Sequence, residues 1–314
     1  MEKCIGENRW KWYQFKENED DSNKPMFEQD HSRCNLWLER VLQKKTNSLR
    51  IKILDSGVKV VTGSLIYKQN FEEAKDYQIF HFYVTEDQLI TVDLHFPNFK
   101  HIHPEQLYKQ MNKTENAVEG FFILLGELMN EMLVEIDRFE EALKTLIWSI
   151  RKKNGTNILE KIYMRRHELL IWKSLLIPIN ELKIGIEEVD LQEVSRVEMF
   201  TLLVKRIERM TALLNEYEHE LDSIINLEEV ISSHRGNEIM KTLTVITIIF
   251  TPIMAFGALW GMNFKHMPEL EWRYGYLLSI ILIIIATLLL YGFLRFKGWT
   301  GDLLTGKQKD SYFK

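Results

Sequence analysis

Only two cysteines, Cys4 and Cys34, stand in this chain. That excludes a disulfide framework and fits a reducing compartment, and their spacing matches no zinc pattern. No phosphate-binding glycine loop is present, so nothing signals ATP-driven work, and the chain does not read as an enzyme. Met1-Glu2-Lys3-Cys4 leads into charged sequence without an apolar h-region, which predicts no cleavable signal peptide. Basic patches with interleaved aromatics are missing too, so nucleic acid is not an expected partner. The net charge of -5 excludes nothing useful. The 314 residues suffice for a soluble core plus a further element, which suggests about two domains.

The most informative absence is local. A charged fraction of 27% and a mean hydropathy of -0.19 describe a soluble protein on average. Yet from Thr242 to Phe264 there are 23 residues without Asp, Glu, Lys or Arg, and from Tyr274 to Leu294 there are 21 more. Crossing about 30 Å of hydrocarbon takes roughly 20 apolar residues, so each stretch qualifies as a span. A buried helix pair is the alternative, but the run from Leu277 to Ile285 is apolar on every face. Arg235 and Lys241 precede the first stretch, and Arg295, Lys297, Lys307 and Lys309 follow the second. The loop between them sets Lys265 and Arg273 against Glu269 and Glu271. The positive-inside rule therefore predicts cytoplasmic termini and an outer loop in a two-span protein of the plasma membrane.

Upstream, the first 30 residues are polar and acidic, with Glu17 to Asp21 expected as a loop or frayed end. A short helix is predicted at Leu36 to Val41. Strand-like alternation at Leu49–Leu54, Val58–Tyr67, Ile79–Val84 and Leu89–Leu94 predicts a four-stranded, mostly antiparallel sheet. Pro97 and Pro104 break the chain before a helical region. Phe122, Leu125, Leu128, Met129, Met132, Ile136, Phe139, Leu143 and Ile147 recur at helical spacing. A turn at Lys153-Asn154-Gly155 and a stop at Pro178 and Gly185 delimit a second helix. From Leu191 to the first span there is no proline and one glycine, Gly236, which predicts one helix running on to Asn263. At 1.5 Å per residue it would be about 108 Å long. A break at Ser232-Ser233 is the alternative.

Gly261-Met262-Asn263 ends the first apolar stretch, and Met267-Pro268-Glu269-Leu270 follows. This arrangement resembles the CorA family of divalent-cation channels, whose signature is G-M-N at the outer end of the first of two C-terminal membrane helices. Asn237, Met240, Thr244, Thr247, Thr251, Met254, Ala258 and Met262 lie in steps of three or four on one stripe of that helix. Taken alone, threonines so placed serve packing and back-bonding as well as a pore. With the G-M-N ending, the stripe is read as pore-lining and the second span as lipid-facing. Neither charge-free stretch, 242–264 or 274–294, holds an acidic or basic residue, which disfavours proton coupling and favours a passive conduit.

The resemblance implies an α+β membrane protein: a cytoplasmic α/β domain at 1–118, a helical stalk at 119–240, and a two-helix hairpin in a funnel-shaped homopentamer. The hairpin comprises a pore-lining span at 241–263, an outer loop at 264–273, a second span at 274–296 and a basic tail at 297–314. It implies Mg²⁺ as the transported ion and a candidate regulator, with no organic cofactor. By the same resemblance Gly261, Met262 and Asn263 form the outer selectivity site, Asn263 meeting the ion through its hydration shell. Lower constrictions fall at Met254, Leu243, Met240 and Asn237, and Glu269 concentrates cations at the mouth. This chain departs from the pattern in places. Lys265 replaces a frequent acid, Trp260 a frequent tyrosine, and the lysine-rich tail is reduced to Arg295 and Lys297 followed by Trp299. Phe200-Thr201-Leu202 leaves Leu202 where the stalk often carries a regulatory aspartate. Glu216, Glu218, Glu220 and Asp222 offer carboxylates, although such runs usually form a solvated face. His95, His101 and His103 lack zinc-site spacing. Two alternatives stand open: a transporter of Zn²⁺, Co²⁺ or Ni²⁺ in the same superfamily, and a membrane-anchored sensor or scaffold.

Overall fold

The computed structural model describes residues 2–5, 9–16, 32–54, 57–152, 156–189, 197–263, 265 and 267–299. Its contacts divide the chain into two units, residues 1–222 and 223–314.

The first unit contains β1 (Glu2–Ile5), β2 (Trp10–Phe15), α1 (Ser32–Val41), β3 (Ser48–Ile53), β4 (Lys59–Gln69), β5 (Tyr77–Val84) and β6 (Gln88–Val92). After a 3-10 turn at Phe96–Asn98 come α2 (Pro104–Met111), α3 (Ala117–Lys152) and α4 (Thr156–Val189). The six strands form one sheet in the order β1-β2-β6-β5-β4-β3, antiparallel except where β2 runs parallel to β6. The four strands expected from alternation are all there. The two N-terminal strands are the correction: Trp10-Lys11-Trp12-Tyr13 does alternate, but polar neighbours hid it, and both tryptophans are buried.

Both sheet faces are covered. On one, Cys34 of α1 joins Tyr13, Val60, Tyr83 and Ile90. On the other, Phe82 meets Phe121 of α3 at 4.9 Å and Trp12 meets Tyr108 of α2 at 5.5 Å. The indoles stay satisfied in that core, since Trp10 Nε1 donates to Thr114 Oγ1 and Trp12 Nε1 to Thr91 Oγ1, each at 3.0 Å. Helix α3 approaches closely because Gly120 faces Trp10, where an added Cβ would lie 2.4 Å from the ring.

The apolar stripe expected for α3 is buried from Phe122 to Leu143, while Ile147 is exposed. Helix α4 does not stop at Pro178 or Gly185. Pro178 deprives the Ser174 carbonyl of its partner at a cost of about 3 kcal/mol, but Leu175, Leu176, Ile179 and Leu182 are buried on both sides of it, and their burial carries the helix through. Gly185 is a contact point rather than a terminator: an added Cβ would lie 2.6 Å from Ile51 Cδ1 of β3. The turn expected at 153–155 and the helix start near Leu191 lie outside the described residues.

Helix α5 (Glu198–Trp260) is unbroken over 63 residues, Ser232-Ser233 included. Its first-unit part packs Phe200 on Phe122 at 5.1 Å and Tyr217 on Phe139 at 5.7 Å. The Tyr217 hydroxyl donates to Glu140 at 2.8 Å; burial, then that carboxylate, pushes its pKa far up. The second unit holds the rest of α5, the short α6 (Pro268–Glu271) and α7 (Gly275–Phe296). Gly298, at φ +70°, closes α7: Trp299 N–H donates to Leu294 O and Gly298 N–H to Arg295 O, a Schellman ending.

Gly120→Ala should overpack the core against Trp10 and cost about 2 kcal/mol, read as a lowered melting temperature of the detergent-solubilised protein. A second expectation concerns His81, buried with Nδ1 2.8 Å from Ser64 Oγ. Burial holds its pKa below the ordinary value. The unfolded chain therefore takes up the proton first as pH falls. Stability should be full above about pH 6.5 and decline as pH drops from there toward the folded-state value. His81→Gln should flatten the melting temperature against pH between 7.5 and 5.5.

Candidate functional site

The apolar runs of the second unit are not core helices. Only 11% of the most apolar window of α5 and 6% of that of α7 is buried in the chain. Ile246, Phe250, Ile253, Leu259, Ile284 and Leu289 are each about half exposed or more. Surface of that kind needs lipid or further protein around it.

The stripe singled out by spacing keeps to one side of α5. Asn237, Met240, Leu243, Thr247, Thr251, Met254 and Ala258 are exposed and Thr244 is half-buried, while Val245 and Pro252 on the far side are buried. The threonines bond back along their own helix. Thr244 Oγ1 donates to Met240 O at 2.7 Å, Thr247 to Leu243 at 2.8 Å and Thr251 to Thr247 at 2.7 Å. This spends each hydroxyl proton inside the helix and leaves oxygen lone pairs facing outward. The stripe thus offers a file of neutral acceptors, which suits a cation or its waters. At its lower end a cleft of about 300 Å³ brings Trp299 to Asn237, Met240 and Thr244. Spacing gave no hint of that, because Trp299 follows the other helix.

At the other end the helix closes tightly. Gly261 N–H donates to Gly257 O at 3.0 Å and Met262 N–H to Leu259 O at 3.4 Å. A Cβ on Gly261 would lie 2.9 Å from the Gly257 carbonyl oxygen, so this ending needs glycine. Phe256 stacks on Trp260 at 5.3 Å one turn before it. Met262 and Asn263 are exposed, and the Asn263 amide has no hydrogen-bond partner among the described residues. Glu269 lies on α6, directly after Pro268.

The other singled-out residues do not gather. Glu218 pairs with Lys173 at 2.5 Å and Asp222 with Arg166 at 3.3 Å, across to α4. Phe200 is buried, Thr201 donates to Val197 O, and Leu202 is exposed. His101 and His103 are exposed, whereas His95 is half-buried. Among the described residues no three of His, Cys, Asp and Glu could hold a metal together.

Comparison with known proteins places this arrangement. A family model described as "CorA-like Mg2+ transporter protein" matches residues 7–297. The magnesium transport protein CorA of Bacillus subtilis is 41% identical over 301 residues, covering 96% of this chain and 94% of that protein. Among solved structures, the CorA magnesium transporter of Methanocaldococcus jannaschii superposes with a TM-score of 0.62 at 19% identity, over 93% of this chain and 92% of that one. The full-length CmaX protein gives a TM-score of 0.63 at 15% identity, over 91% and 88%. These last two establish likeness of fold. On the family match and the extent of the B. subtilis identity, the chain belongs to the CorA family of Mg²⁺ transporters.

Proposed function

We propose that the protein is a Mg²⁺ channel of the plasma membrane, passing hydrated ions down the membrane potential through a homopentameric pore. The observation that carries this reading is the file of threonine oxygens on the stripe of α5, followed by an exposed Asn263 amide with no hydrogen-bond partner among the described residues. Two helices cannot enclose a water-filled path, so several copies must each contribute one stripe. In this reading residues 1–118 and 119–240 are the cytoplasmic domain and stalk, and both termini face the cytoplasm. Residues 241–263 line the pore, 264–273 form the outer loop, 274–296 face lipid and 297–314 form the basic tail.

The chemistry suits Mg²⁺, which gives up its waters reluctantly. A ring of Asn263 amide oxygens takes hydrogen bonds from the hydration shell and leaves the shell intact, while Gly261 and Met262 set the ring at the helix end. Below it, Thr251, Thr247 and Thr244 continue as acceptors, and Met254, Leu243 and Met240 supply apolar constrictions able to exclude water. Glu269, repeated around the mouth, raises local cation concentration. One charge crossing 100 mV is worth about 2.3 kcal/mol, so a divalent ion gains about 4.6 kcal/mol, a roughly 2000-fold accumulation limit without ATP.

The test is ion flux into proteoliposomes under an imposed inside-negative potential. Wild type should admit Mg²⁺, and Asn263→Ala should cut the flux by about tenfold or more. Influx of Zn²⁺, Co²⁺ or Ni²⁺ in preference to Mg²⁺ would replace the ion assignment. No divalent influx from inserted oligomers would leave a membrane-anchored sensor or scaffold. Gly261→Ala should also lower flux, because its Cβ displaces the Gly257 carbonyl and with it Asn263, while the melting temperature stays close to wild type.

A further inference from the structure

A cleft in the first unit has a lining that ion conduction does not use. It lies between α1 and strands β3, β4 and β5, measures about 240 Å³, and has Val60, Thr62 and Tyr83 in its floor. Trp37 of α1 stands against Tyr83 at a ring separation of 5.5 Å, so one wall is aromatic. Four cations, Arg40, Lys44, Arg50 and Lys52, share the rest of the lining with Val41, Leu54, Ser48 and Gly63. Among the described residues no carboxylate lines it.

The sequence makes these cations converge. Arg50 pairs with Thr62 and Lys52 with Val60 across the β3–β4 ladder, so alternation puts both basic side chains on the face that α1 covers. Leu49 and Ile51 take the other face, against Gly185 of α4. Arg40 comes from the last turn of α1, and Lys44 from the connection that follows. Each charge has an ordinary use singly: lysine protects an edge strand such as β3, and a helix C-terminus favours a cation. Neither use brings four of them around one aromatic floor.

Among the described residues none of the four forms an ion pair. Lys44 donates to a neutral partner, Ser48 Oγ, at 3.0 Å. Burial and then the nearby Arg50 hold its ammonium below the ordinary pKa. Like charges gathered around one cleft repel one another, and a bound anion relieves them. Guanidinium forks match phosphate oxygens in pairs, and a flat ring finds its partner on Trp37 and Tyr83.

We propose that this cleft binds a nucleoside phosphate, the phosphate held by Arg40, Lys44, Arg50 and Lys52 and the base set against Trp37. The volume, about 240 Å³, falls just below the usual range of small-molecule sites, which leaves no room for a ligand larger than a single nucleotide.

Isothermal titration calorimetry on the full-length protein in detergent and metal-free buffer tests this, with ADP, AMP and inorganic phosphate as probes. ADP should bind saturably at one site per chain, with inorganic phosphate about tenfold weaker or more. The Arg50→Gln/Lys52→Gln variant should lose about tenfold in ADP affinity. Both residues are exposed on an edge strand, so its melting temperature should match wild type. Lys45→Gln, an exposed charge outside the cleft, should bind as wild type does. Absence of saturable ADP binding, full affinity in the double variant, or an equal loss in Lys45→Gln would overturn the site. Inorganic phosphate binding as tightly as ADP would overturn the nucleoside assignment. Because the readout is binding without Mg²⁺, its outcome is separate from that of the flux experiment.

Discussion

In hydrocarbon every backbone N–H and C=O has to find its partner within the protein, and everything else in the second unit follows from that constraint. Helices meet it, which is why the two charge-free stretches are carried by α5 and α7. The exceptions are informative. Pro252 leaves the Ile248 carbonyl without its helical partner, on the buried side of α5 away from the threonine stripe. The threonines meet the same demand for their hydroxyl protons by bonding back to carbonyls four residues earlier. A stripe satisfied in this way tolerates lipid, another helix or water. Its outward lone pairs become useful only when water and cations are present.

The same logic separates the two ends of α5. Near its start the helix buries Phe200, Leu203, Ile207, Met210 and Leu214 and carries ion pairs to α4. Near its end it buries almost nothing within the chain. One uninterrupted backbone therefore passes from a surface covered within the chain to a surface that lipid or further protein must cover. In the proposed reading, further copies around one axis supply part of that cover.

Much of this was legible in the sequence, for reasons that differ by element. The spans and the long helix were visible because charge and proline are absent over lengths that leave few choices. Gly261-Met262-Asn263 was visible as a motif, and the Cβ contact at Gly257 O gives the glycine its physical cause. Strand β2 was missed because its alternation is confined to Trp10-Lys11-Trp12 among polar neighbours, and β1 because it is only four residues long. Pro178 misled because local propensity was weighed without the buried leucines flanking it. The cationic cleft had a trace in Arg50 and Lys52 alternating on β3, but only the ladder with β4 and the position of α1 turn that alternation into a common face.

In the proposed channel, copies of this chain complete one another's second unit around a shared path. Native mass spectrometry of the protein released from detergent micelles tests it most directly. A single dominant species of five times the 37.4 kDa chain mass is expected. A monomer or dimer under conditions that keep α5 and α7 folded would contradict it, because one or two stripes cannot surround a conduit.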